Sequence, residues 1–293
     1  MLTYNPKNWF TFIFRFHRSD TVRALFPLML AIAVYAGILA YLELEFFKLS
    51  DNPYIKNITL MHTLLGFVIS LLLVFRTNTA YERWWEGRKL WGSLVNNSRA
   101  LAIKLHSMLP NNDKESRVFF SQTIANYAQA LSIHLSPDAV KNTIDTNELP
   151  YSESIDTGKH IPNQITLLLT QRIQELYASG SISGEQLLFV NTELQTFADV
   201  CGACERIKST PIPFSYSVFL KKFVFFYVMT IPIGYVFAMG WLVIPVSVFI
   251  LYVLASMELI AEEIEDPFGS DSNDLPTALI AKNIRKHVAE ILE

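Results

Sequence analysis

Two long apolar runs lie near each end of the chain, at residues 24–47, 58–76, 218–239 and 241–260. Each approaches the roughly 20 residues that a helix needs to cross a bilayer core. The first follows Ser19 and Asp20, which read as helix caps, and ends in the interfacial aromatics Phe46 and Phe47. His62, Thr63 and Ser70 interrupt the second. Met239-Gly240-Trp241 alone joins the third to the fourth, so these two must turn back on each other as a tight hairpin. The stretch between the two pairs, 77–213, has ordinary polarity. In it Trp84, Trp85, Leu90, Trp91, Leu94 and Val95 recur at helical spacing and prolong the second run. Periodicity predicts further helices over 114–135, 163–178 and 184–207. Residues 136–162, with Pro137, Pro150 and Pro162 among Asp, Ser and Thr, read as an extended loop. Ser209-Thr210-Pro211-Ile212-Pro213 breaks the chain before the third run. Strand-like alternation and internal repeats are absent from the sequence.

The pattern therefore predicts an all-α integral membrane protein with four transmembrane helices and a helical cytoplasmic domain. An amphipathic segment, 1–23, precedes the first span, and a polar segment, 261–293, follows the last. Composition agrees: 51% of residues are hydrophobic and 17% charged, against about 25% charged in ordinary soluble domains. Basic residues fix the expected orientation. Lys7, Arg15, Arg18 and Arg23 precede the first span, Arg76, Arg83, Arg88 and Lys89 follow the second, and Lys208, Lys221 and Lys222 flank the third. The outer loops hold only Lys48 and Lys56, so both termini and the central region are expected in the cytoplasm. Residues 7–23 mix aromatic, basic and polar positions and do not read as a cleavable signal peptide. The net charge of −3, without a dense basic block, gives no nucleic-acid signature.

Little of the sequence points to catalysis. No nucleophile–base pattern or phosphate loop stands out, and the six histidines look scattered. Cys201-Gly202-Ala203-Cys204 has redox or zinc spacing but lacks a second ligand pair and lies within one helical pattern, which points to buried helix thiols. His62, an ionisable residue on a span, is either a functional group or an outer-interface residue. Arg76 reads as a snorkelling anchor at the cytoplasmic boundary, and the tryptophans as packing.

Two segments are more specific. One is Phe75-Arg76, Asn78, Ala80-Tyr81, Arg83-Trp84-Trp85-Glu86-Gly87-Arg88 and Leu90-Trp91-Gly92. The other is Glu265-Asp266-Pro267-Phe268-Gly269 with Asn273, Asp274, Leu275 and Pro276. Together with Cys204-Glu205-Arg206 and Thr210-Pro211-Ile212-Pro213-Phe214, they closely resemble the bestrophin family, in its prokaryotic branch. The likeness extends over nearly the whole chain and is weakest around 136–162. It implies a homopentamer around a central pore that passes small inorganic ions passively through the lipid bilayer, with no required cofactor and no nucleic-acid partner. The family's hydrophobic neck falls on Phe67, Leu71 and Phe75, which also stand at i, i+4 and i+8 on one helix face. Five copies would form apolar rings able to gate by dewetting; alternatively, the stripe packs against neighbouring helices. The family's cytoplasmic aperture, commonly aliphatic, falls on Glu185. Five carboxylates there would favour cations and raise one another's pKa, although animal relatives conduct chloride. Otherwise Glu185 serves only the start of a helix. Glu263, Asp266, Asp271 and Asp274 match positions of the animal family's calcium clasp, but Ser270, Ser272 and Asn273 thin the acidic run, and a capped helix-ending turn explains it as well.

The sequence thus leaves two functional classes: a bestrophin-like ion channel, or a non-conducting membrane receptor or scaffold acting through its cytoplasmic helices. An enzyme is not expected. A secondary transporter would show repeated halves and broken helices, and neither is found.

Overall fold

Helix formation follows the hydrophobic periodicity, and no strand occurs among the described residues. The computed structural model describes residues 21–47, 53–136, 155–156 and 158–292. The helices are α1 (Thr21–Tyr41), α2 (Pro53–Met108), α3 (Lys114–Leu135), α4 (Ile161–Ala178), α5 (Gly184–Ser209), α6 (Phe214–Met239), α7 (Val243–Glu265) and α8 (Thr277–Leu292). Ser19, Asp20 and the basic residues Lys7, Arg15, Arg18 and Lys48 lie outside the described residues, as does most of 136–162. Three helical stretches are long and apolar enough to cross a membrane: Thr21–Phe46, Ile58–Met108 and Phe214–Glu265. The last of these contains both α6 and α7.

The chain divides into two compact units. One holds the residues up to Glu82 together with Pro211–Glu265. In it α1 lies against α6 and α7, and ends in a π-helical turn, Leu42–Phe47, where Glu43 and Glu45 enter the apolar run. The join of α6 to α7 is a single 3-10 turn, Gly240–Leu242. Gly240 has φ 56°, a left-handed conformation that a side chain would strain, and it lets the two helices fold back on one another. Ile32 and Ala40 of α1 meet Val228, Ile231 and Leu251 in one apolar cluster. A second joins Ile69 and Leu73 of α2 to Leu220 and Val224 of α6.

The other unit contains residues 83–210 and 266–292. Its central element is α3, buried on nearly every side, as a helix rich in small and aromatic residues (Phe120, Ser121, Ala125, Ala128) can be. The later part of α2 contributes Trp91, Leu94 and Leu101 to this core. Polar ends are locally satisfied. Asp113 caps α3 by accepting from Ser116 N. Ser183 and Gln186 form a reciprocal capping box on α5. The C-terminal α8 is amphipathic and places Ala281, Ile284, Val288 and Leu292 in the core. Its Arg285 donates to Asn126 and Gln129 of α3, at 2.8 Å each.

α2 is unbroken for 56 residues. Replacing fully buried Trp91 by Ala is expected to lower stability by ~3–5 kcal/mol, whereas Leu279→Ala on the exposed side of α8 should stay within about 0.5 kcal/mol. Unfolding of the detergent-solubilised protein measures both.

Candidate functional site

The two faces of α2 differ in what they touch. His62, Ile69, Leu73, Arg76 and Ala80 are buried, and at about 100° per residue they form one stripe. Phe67, Leu71 and Phe75 fall on the opposite side, 72%, 46% and 57% exposed. Leu60 and Leu64 extend this outer stripe in one direction, and Asn78 and Glu82, both exposed, extend it in the other. The three expected neck residues therefore share a face that no helix of the same chain covers among the described residues. Its hydrophobicity is not needed to pack this chain.

Polar locks set the rotation of α2. His62 Nε2 lies 2.7 Å from Thr230 Oγ1 of α6, with its ring against Tyr227 and edge-on to Tyr235. This buried position on the packed side removes His62 from the exposed stripe. Arg76 is 1% exposed, so it is not the snorkelling anchor that the sequence suggests. Its Nη2 pairs with Glu265 at 2.8 Å and its Nε with Glu258 at 3.4 Å, both on α7. Glu265 also accepts from the backbone N–H of Ile212 at 2.7 Å, which ties down the Pro-rich approach to α6. The partners lie far along the chain, so the local signal at Arg76 resembled that of an ordinary boundary residue.

Glu185 stands in the first turn of α5, fully exposed, and accepts from Ser183 Oγ at 2.7 Å. That hydrogen bond holds its carboxyl below the usual range, so it is ionised at neutral pH. In the acidic turn, Asp266 accepts from Phe268 N, and Asp274 Oδ2 accepts from Asp271 N at 2.5 Å. A Cβ at Gly269 would stand 2.6 Å from Asp274 Oδ2, so a side chain there would displace that carboxylate. The carboxylates of Asp266 and Asp274 bind the backbone of the turn, and Asp266, Asp271 and Asp274 do not gather as a three-carboxylate group. The cysteines are free and buried on α5, and burial pushes both thiols up to about 12. They are inert thiols.

One group of metal-ligating side chains does converge among the described residues: His134, His160 and Glu205. The histidines look scattered in sequence because the group is drawn from the end of α3, the N-cap of α4 and the C-terminal part of α5. Burial raises the Glu205 carboxyl, but hydrogen bonds from His160 and His134 outweigh it and hold the group below its usual range.

Removing one partner of a buried ion group strands the others. Arg76→Ala should therefore cost ~3–5 kcal/mol in detergent unfolding experiments, and Arg76→Met with Glu258→Leu should recover part of the loss.

Residues 1–290 match the bacterial/fungal bestrophin family. A voltage-dependent anion channel-forming protein of Synechocystis is 33% identical over 234 residues, 78% of this chain and 76% of that protein. One of the same name from Nostoc is 29% identical and covers 99% of this chain and 94% of its own length. A crystal structure of a bacterial bestrophin homologue from Klebsiella pneumoniae superposes with a TM-score of 0.82 at 26% identity, covering 92% of this chain and all of that one. Family, relatives and fold agree over most of the chain, which belongs to the bacterial/fungal bestrophins.

Proposed function

We propose that this chain is one subunit of a homopentameric bestrophin ion channel, a non-enzyme that passes small monovalent ions along an axis lined by five copies of α2. The observation that carries the reading is the exposed apolar stripe of Phe67, Leu71 and Phe75, opposite the face locked by Arg76. Around a five-fold axis that stripe becomes three stacked hydrophobic rings, a constriction that can exclude water when narrow. In the lipid of a bacterial inner membrane, α1, α2, α6 and α7 would be the four spans. Arg76, Arg83, Arg88, Lys221 and Lys222 then mark the cytoplasmic ends.

Anions are the favoured permeant class. The Synechocystis and Nostoc relatives carry the name of anion channels. Phenyl ring edges at Phe67 and Phe75 are weakly positive and can face a partly dehydrated anion. One observation favours a second reading: Glu185 is exposed and ionised, and five such carboxylates at the cytoplasmic aperture would select cations. Conduction needs no cofactor. Calcium at Glu263, Asp266, Asp271 and Asp274 is not part of the proposal, because the Asp266 and Asp274 carboxylates already accept from the turn's own backbone.

The test is the reversal potential of the purified protein in planar bilayers under a salt gradient. A chloride-directed potential unchanged in Glu185→Ala is the expected result, with larger currents when Phe67, Leu71 and Phe75 are all Ala. A cation-directed potential that collapses in Glu185→Ala would establish the second reading. Absence of current from the wild type and from the widened neck would overturn the channel and leave a receptor or scaffold.

A further inference from the structure

We propose that His134, His160 and Glu205 form a binding site for a divalent metal ion of the zinc class. The Nε2 atoms of both histidines lie 2.6 Å from the same oxygen, Glu205 Oε1. Their rings are 4.6 Å apart and tilted by 56°. One ligand atom from each side chain falls within 4.8 Å of the other two, whereas donors in a tetrahedral zinc site stand about 3.3–3.5 Å apart. A shift of the carboxylate by about 1 Å opens the two oxygen–nitrogen spacings to that range. Each side chain is about one-third exposed, which leaves the fourth coordination position to water, as in other three-ligand zinc sites.

The donor set decides the class of ion. Two imidazoles and one carboxylate suit zinc and its borderline neighbours, while calcium and magnesium require oxygen donors throughout. The backbone supports the arrangement. Lys208 Nζ donates to the carbonyls of His134 and Ser136 at 3.2 Å and secures the last turn of α3. The C-terminal end of that helix itself favours positive charge.

One feature opposes binding, and its size can be judged. His160 Nδ1 accepts from Asn163 N at 3.1 Å as the N-cap of α4. The neutral ring therefore carries its proton on Nε2, the atom that would ligate. Binding requires that proton to move to Nδ1 and the cap bond to be given up. A lost N-cap weakens affinity about fivefold, a small factor beside the many decades of affinity that imidazole and carboxylate ligands give zinc. The metal would cross-link the ends of α3 and α4 to α5, making stability of that unit depend on zinc.

The test uses the full chain in detergent, stripped with chelator and titrated with zinc chloride or calcium chloride, read by calorimetry and by unfolding temperature. One zinc per chain is expected, with a rise in unfolding temperature that calcium does not reproduce. His134→Gln and Glu205→Gln should each weaken zinc at least about 100-fold. His160→Asn is the decisive variant, because Asn is a good N-cap but lacks the ligating nitrogen. It should still fold without metal, because the cap is kept, and lose the zinc response. Absence of saturable zinc binding in the wild type, or equal zinc affinity in all three variants, would overturn the site. Neither readout depends on conduction, so its failure would leave the channel reading untouched.

Discussion

A guanidinium buried among apolar helices is tolerable only if carboxylates meet it, and Arg76 with Glu258 and Glu265 satisfies that demand. The consequence is geometric. Pairs at 2.8–3.4 Å fix which side of α2 turns towards α7. On a helix, fixing one side fixes the other. The apolar stripe of Phe67, Leu71 and Phe75 faces outward because Arg76, His62 and Ile69 are held inward. A proposed pore wall is thus set by contacts that never touch an ion. Hydrophobic packing against Leu220 and Val224 supplies area, but a greasy face alone could rotate with little penalty.

Much of the fold could be read from the sequence because its signals are local. Lys114–Leu135 and the helix that begins at Gly184 were both marked by apolar spacing. The lone glycine between two apolar runs announced the turn at Gly240. What could not be read depends on residues distant in sequence. Nothing near Arg76 reveals that Glu258 lies beside it, and a cation at the end of a span looks the same whether it snorkels or pairs. His160 gave no cap signal, since Ser, Thr, Asp and Asn are the usual caps. The helix at Thr277–Leu292 is amphipathic, but it follows an acidic turn whose carboxylates share the composition of a metal site.

The candidate sites were legible to different degrees for the same reason. Phe67, Leu71 and Phe75 form a one-helix pattern, so their common face followed from spacing alone. Glu185 was placed by resemblance, and the structure adds a local role at the start of α5 through Ser183. His134, His160 and Glu205 share no local pattern. Three helices had to fold before they became neighbours.

The two cysteines offer an experimental opening. Cys201 and Cys204 are nearly inaccessible, and their thiols ionise only near 12. Alkylating reagents act on thiolates, so the folded protein should be almost silent towards them at neutral pH. A cysteine introduced on the outer stripe of α2 would then be the one fast-labelling thiol in an otherwise native chain. Accessibility along that helix could be mapped without first removing the natural cysteines from the core.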